Sequence, residues 1–202
     1  MLKRKRTKML GLAIVVSLAA CLLLTVEISA EALLDEALLR ASQVGDIANI
    51  SRMLDAGANV NAVLAGDGSP LIAAARGGHL EATRLLLDRG GDPNLPVRGD
   101  GNPLIMAARK GHIELVALLL DRGAASDQVV PGDENALIQA STNGHLDVVK
   151  LLVGHGANVN ARVWVDPTPW QPNGEWRTPL TVARQNRHEA VFAFLLSAGA
   201  RE

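Results

Sequence analysis

His79, His112 and His145 recur every 33 residues, each directly after a glycine. Imidazole is the commonest side-chain ligand for zinc, so a regular series of them raises the question of a metal centre. Zinc needs its nitrogens about 2.0–2.1 Å from one shared point. A constant period instead puts one ring in each structural unit, in a column spaced like stacked helices, about 8–10 Å apart. Such a column does not converge, and no pair shows the helical two-His spacing of a zinc peptidase. Each ring is therefore expected to mark the start of a helix, with His155, outside the series, in a solvated loop.

Other routes to chemistry are equally thin. Asp67, Asp100 and Asp133 recur with the same period, the first two inside Gly-Asp-Gly, but they lack the further carboxylates of a calcium loop. They read as turn residues on a solvated acidic edge. Cys21 is the only cysteine, which rules out an intramolecular disulfide or a multi-cysteine metal site. No Gly-x-Ser-x-Gly turn and no phosphate-cradling glycine loop is present. The expectation is a protein without catalytic residues, metal, cofactor or small-molecule substrate.

The elements that place these residues follow from composition and period. In 202 residues, 48% are hydrophobic and 20% charged, enough for a packed body. Tyr is absent, and Phe and Trp number two and three, so the apolar content is mostly Leu, Ala and Val, which suits helix packing. Five of the 20 basic residues precede residue 9, leaving 15 against 21 acidic ones and a body of net charge −6. A surplus of that sign, with no basic stripe, argues against nucleic acid as a partner.

Two interleaved glycine ladders share the 33-residue period: Gly45, Gly78, Gly111, Gly144, and Gly57, Gly90, Gly123, Gly156. Ser69-Pro70, Asn102-Pro103 and Thr178-Pro179 supply a capping oxygen followed by proline at the first helical position. The helix begun there closes at the first-ladder glycine in a left-handed conformation. A second helix follows, best seen from His112 to Arg122, with Ile113, Val116, Leu119 and Leu120 as its apolar stripe. Turn-rich segments such as residues 91–101 form projecting fingers. A pair of helices this small cannot bury its own apolar face, so the units must stack into one core. The units span about 35–68, 69–101, 102–134, 135–177 and 178–202. Asp46 in the first unit and Gln185, Asn186 and Arg187 in the last replace the histidine and turn residues of inner units, as polar end caps would.

SPLIAAARGGHLEATRLLLDRGGDPN and its sisters resemble ankyrin repeats over about 170 residues: a capped Pro-Leu start, paired alanines, Gly-His, a leucine triplet and Gly-x-Asp-x-Asn. The resemblance implies an all-α solenoid of about five helix-turn-helix repeats with hairpin fingers, and binding to another protein through the fingers and the concave inner-helix face. The family's first-helix histidine is replaced by Ile72, Ile105, Ile138 and Thr181. In the family that ring ties adjacent turns, so apolar contact is expected to carry more of the stacking here.

One segment departs from the period. Residues 161–177 carry a ten-residue insertion and all three tryptophans, Trp164, Trp170 and Trp176. Large aromatics on a projecting loop are favoured anchors for a protein partner, and Pro167, Pro169 and Pro172 stiffen this one. The alternative is that the rings fold back over the last unit, or divide, with Trp164 and Trp176 packed and Trp170 exposed at the tip. The GEWRTPL segment also resembles ankyrin tails of bacterial membrane metallopeptidases, without bringing a protease motif.

The N-terminus adds a membrane relationship. Lys3 to Lys8 is a basic cluster, and residues 9–26 are eighteen residues without a charge, the start of a hydrophobic helix. Leu18-Ala19-Ala20-Cys21 resembles the bacterial lipobox, which makes Cys21 a lipidation candidate. An uncleaved anchor and cleavage after Ala30 are the other readings of residues 1–30. All three keep the basic cluster cytoplasmic and put the body on the periplasmic side of a bacterial envelope.

Overall fold

The computed structural model describes residues 30–64, 66, 68–130, 133–165 and 174–201. Among the described residues, ten helices form five antiparallel pairs. Helix α1 occupies residues 30–44 and pairs with α2 (Ile47–Asp55). Then follow α3 (Pro70–Gly77) with α4 (Leu80–Asp88), α5 (Pro103–Lys110) with α6 (Ile113–Asp121), and α7 (Ala136–Thr142) with α8 (Leu146–Gly154). A two-stranded hairpin, β1 (Val163–Val165) and β2 (Glu175–Arg177), precedes α9 (Pro179–Gln185) and α10 (Glu189–Ser197). First helices touch in the order α3, α5, α7, α9, and second helices in the order α2, α4, α6, α8, α10. The units are layered in sequence order.

The caps explain why the short helices start where they do. The amide of Ile72 donates to Ser69 Oγ (3.3 Å), that of Ile105 to Asn102 Oδ1 (2.7 Å), and that of Ile138 to Asn135 Oδ1 (2.9 Å). Thr178 and Thr181 cap reciprocally, so the threonine standing where the family carries histidine completes the last unit's helix start. Asp46 caps α2 through the amide and side chain of Asn49. Those bonds, the backbone one foremost, hold its carboxyl below the ordinary 3.8. A lowered carboxylate stabilises the fold above its ordinary value and ceases to as pH falls through the lowered one. The melting-temperature advantage of the wild type over Asp46→Ala is thus expected at neutral pH and to shrink below pH 3.8.

Two apolar clusters run along the stack, one from Leu38 to Leu86 and one from Ala75 to Ala200, and Leu87 packs against both. Ile72, Ile105 and Ile138 are fully buried under the finger bases, as expected for apolar replacements of a histidine. On α6 the buried face is Leu115, Val116, Leu118 and Leu119, whereas Ile113 and Leu120 are only half-buried. The stripe expected from Ile113 and Leu120 is therefore rotated. Both flanks of the second helix meet neighbouring layers, so its apolar arc is wider than one stripe.

Polar ties join each unit to the next. The Nε2–H of His79 donates to the carbonyl of Gln43 (2.9 Å), that of His145 to Arg109 (3.2 Å), and that of His188 to Thr142 (3.0 Å). The rings start second helices, as expected, but cap nothing themselves and reach back one unit instead. His79, His112, His145 and His188 each sit on the first-ladder glycine one unit back: a Cβ at Gly45, Gly78, Gly111 or Gly144 would lie 2.6, 2.8, 2.7 or 2.6 Å from that ring. These glycines also hold φ near +75°. The corresponding residue of the fifth unit is Arg187, which carries a side chain at φ 60°.

A second tie runs through the loops. Asn61 donates to Gly90 O and accepts from Asp92 N, Asn94 does the same with Gly123 and Ala125, and Asn160 with Gly199 and Arg201. Asp127, at the same period, accepts from Asn158 N and has no amide to donate. The expected solvated acidic edge is corrected for two of its members. Asp133 accepts from the amides of Gly99 and Gly101 (3.0 and 3.1 Å) and so fastens one finger to the next, while Asp100 pairs with Arg76 and ties its finger to α3. Asp67 lies outside the described residues.

One tie is missing. Gln128 accepts from Asn102 Nδ2 (2.8 Å) and donates to Asn94 O (3.0 Å), stitching a finger to the helix start before it. One period later the residue is Ala161, and the buried Nδ2 of Asn135 has no partner among the described residues. Ala161→Gln is expected to stabilise the fold by about 1 kcal/mol, read as a raised denaturation midpoint at unchanged slope.

Candidate interaction site at the tryptophan hairpin

The insertion begins and ends as a β-ribbon whose pairing sets Trp164 directly opposite Trp176. Successive side chains of a strand alternate between faces, so the two rings share one face with Arg162, two residues before Trp164. The rings meet edge to face with centroids 5.5 Å apart, and the Arg162 guanidinium carbon lies 5.0 Å from the Trp176 centroid. Gly174, at φ 59°, makes room for the pair: a Cβ there would lie 2.6 Å from Trp164 Cζ2 and 2.8 Å from the Val165 carbonyl. The rings are 44% and 54% exposed. They pack on each other and stay about half exposed, so of the alternatives the one in which these two rings fold back as a lid over the last unit does not describe them.

The opposite face of the ribbon anchors it. Val163 is buried with Ile138 and Val182. Arg177 NH1 donates to Glu134 Oε1 (2.9 Å) and Arg177 Nε to Glu175, while Glu134 Oε2 accepts from Gln139 Nε2 (3.1 Å). Burial pushes the Arg177 guanidinium down, and its bonds to Glu175 and Glu134 outweigh that and hold it above its ordinary value. Glu134 is 5% exposed, so a largely desolvated carboxylate fixes the ribbon to the residue just before the N-cap of α7.

Beside the rings lies a cleft of about 510 Å³ lined by Asn160, Arg162, Trp176, Thr178, Thr181 and Arg201. Sequence reasoning missed its non-aromatic members. Arg162 was within reach, because strand alternation from Trp164 places it on the same face, whereas Arg201 arrives only through the Asn160 tie between two units. Trp170, the three prolines and Cys21 lie outside the described residues.

A family model described as ankyrin repeats (3 copies) matches residues 38–129, 90–163 and 126–201. The chain belongs to the ankyrin-repeat family. Comparison with curated proteins returned no match. Ankyrin repeats are protein-interaction modules, and the insertion in this ankyrin array supplies it with an aromatic surface that the other described fingers lack. Among the described residues of the array, no three His, Cys, Asp or Glu side chains are grouped to hold a metal. No helix among them is long and apolar enough to cross a membrane, and residues 9–26 lie outside that description.

Proposed function

We propose that this ankyrin array is a non-enzymatic binding scaffold displayed on the periplasmic side of a bacterial envelope, held there through its N-terminal segment. It grips another protein through the tryptophan hairpin and the adjoining concave face. The observation that carries the binding half is the exposed Trp164–Trp176 pair, held rigid from below by Arg177 and Glu134. Pre-ordered aromatic area binds at low entropic cost, which is why such residues become anchors of interfaces. The envelope half is supported by the basic cluster and the uncharged run at 9–26.

Co-purification from membranes tests the first half. Replacing Trp164, Trp170 and Trp176 together by Ala is expected to cut recovery of the partner at least about tenfold, the effect of losing one interface anchor. Unchanged recovery would remove the hairpin from the interface. Mass spectrometry of the mature N-terminus tests the second half, separating an acylated Cys21, an intact Met1 and a free Glu31; an intact chain recovered from the cytoplasm contradicts envelope display.

A further inference from the structure

The cleft beside the tryptophans has an uneven set of free hydrogen-bonding groups. Asn160 uses its amide oxygen on Arg201 N and its amide nitrogen on Gly199 O. Thr178 and Thr181 are committed to each other and to the helix start. Among the described residues, no carboxylate lines the cleft. What remains is the guanidinium groups of Arg162 and Arg201, both exposed and neither ion-paired among the described residues. Elsewhere in the array arginines meet carboxylates from unit to unit, as Arg89 does Asp55 and Arg122 does Asp88. In a body of net charge −6, two arginines that line one cleft without an ion pair among the described residues give that cleft a cationic lining there.

Arg162 is also pre-set for its role. Its guanidinium lies over Trp176, which restricts the side chain without consuming its N–H groups. A planar cation held in this way suits two-point recognition of a carboxylate. The flanking tryptophans offer apolar area to whatever carries that carboxylate.

We propose that the cleft binds an extended acidic segment of the partner protein, its carboxylates on Arg162 and Arg201 and an intervening apolar side chain against Trp176. This rests on the binding role proposed for the hairpin and names the chemistry of its occupant. Titration calorimetry on the full chain in non-ionic detergent tests it, with a tryptophan-free peptide of alternating Glu and Leu as probe. Binding is expected, weakened at least about tenfold when Gln replaces Glu in the peptide, and at least about tenfold in Arg162→Gln/Arg201→Gln, whose fold is verified by circular dichroism.

Equal affinity for the two peptides, or an unaffected double variant, would overturn the proposal. So would arginine-dependent binding to vesicles of equimolar phosphatidylglycerol and phosphatidylcholine without peptide binding, which would assign the cleft to lipid. Tryptophan-dependent recovery of a partner from membranes, together with failure of the acidic peptide, would leave the hairpin as a binding site and remove only its acidic ligand.

Discussion

Gly111→Ala is expected to lower the unfolding free energy by about 2–4 kcal/mol, measured by chemical denaturation. Two costs combine. A left-handed backbone at φ 75° disfavours any residue with a Cβ, by about 1–2 kcal/mol. The added carbon would also stand 2.7 Å from the His145 ring, whose Nε2–H is bonded to the Arg109 carbonyl one unit back. The ring must move, so the hydrogen bond is lost together with the packing. Because both changes act on one contact, Gly111→Ala and His145→Ala should destabilise less together than the sum of each alone. The last unit is the internal control. Arg187→Gly relieves the backbone without touching any ring and should stabilise by about 0.5–1 kcal/mol.

Arg177→Ala should cost about 2–3 kcal/mol and loosen the hairpin as well. Removing the cation leaves the Glu134 carboxylate, its side chain 7% exposed, poorly solvated with only the Gln139 amide bonded to it. The figure sits below the range for fully buried pairs because the Arg177 side chain is 29% exposed. Arg177→Lys keeps the charge without the planar fork that spans Glu175 and Glu134, and should recover part of the loss. The aromatic circular dichroism of the Trp164–Trp176 pair provides a local readout. It should weaken in Arg177→Ala at temperatures where the helical signal is intact.

The sequence made the repeating unit legible because its determinants are local. Capping Ser69, Asn102 and Thr178, the prolines after them and the left-handed glycines act within a few residues, and each sits where spacing predicts. What escaped were the polar ties between units. That His145 reaches the Arg109 carbonyl, or that Asp133 holds the amides of Gly99 and Gly101, depends on the offset between adjacent layers. Period alone leaves that offset open. Asp133 shows this, since a recurring carboxylate looks solvated until the neighbouring finger is in place, whereas Asp100 meets Arg76 within its own unit. At the hairpin the tryptophans were visible as residue types, but their mutual packing required the register of β1 on β2.

Deletion of residues 69–101 tests most directly whether the array is held together by contacts between adjacent units alone. The join would set Asn102 after Gly68, His112 over Gly45, Arg122 beside Asp55, and Asn61 beside Gly123 and Ala125, so each tie between layers is regenerated one unit earlier. The shortened chain should remain soluble and helical and unfold in a single cooperative transition at a lower midpoint, as expected when stability is a sum over neighbours. A chain that loses cooperative unfolding, or keeps helix without a fixed core, would contradict that picture.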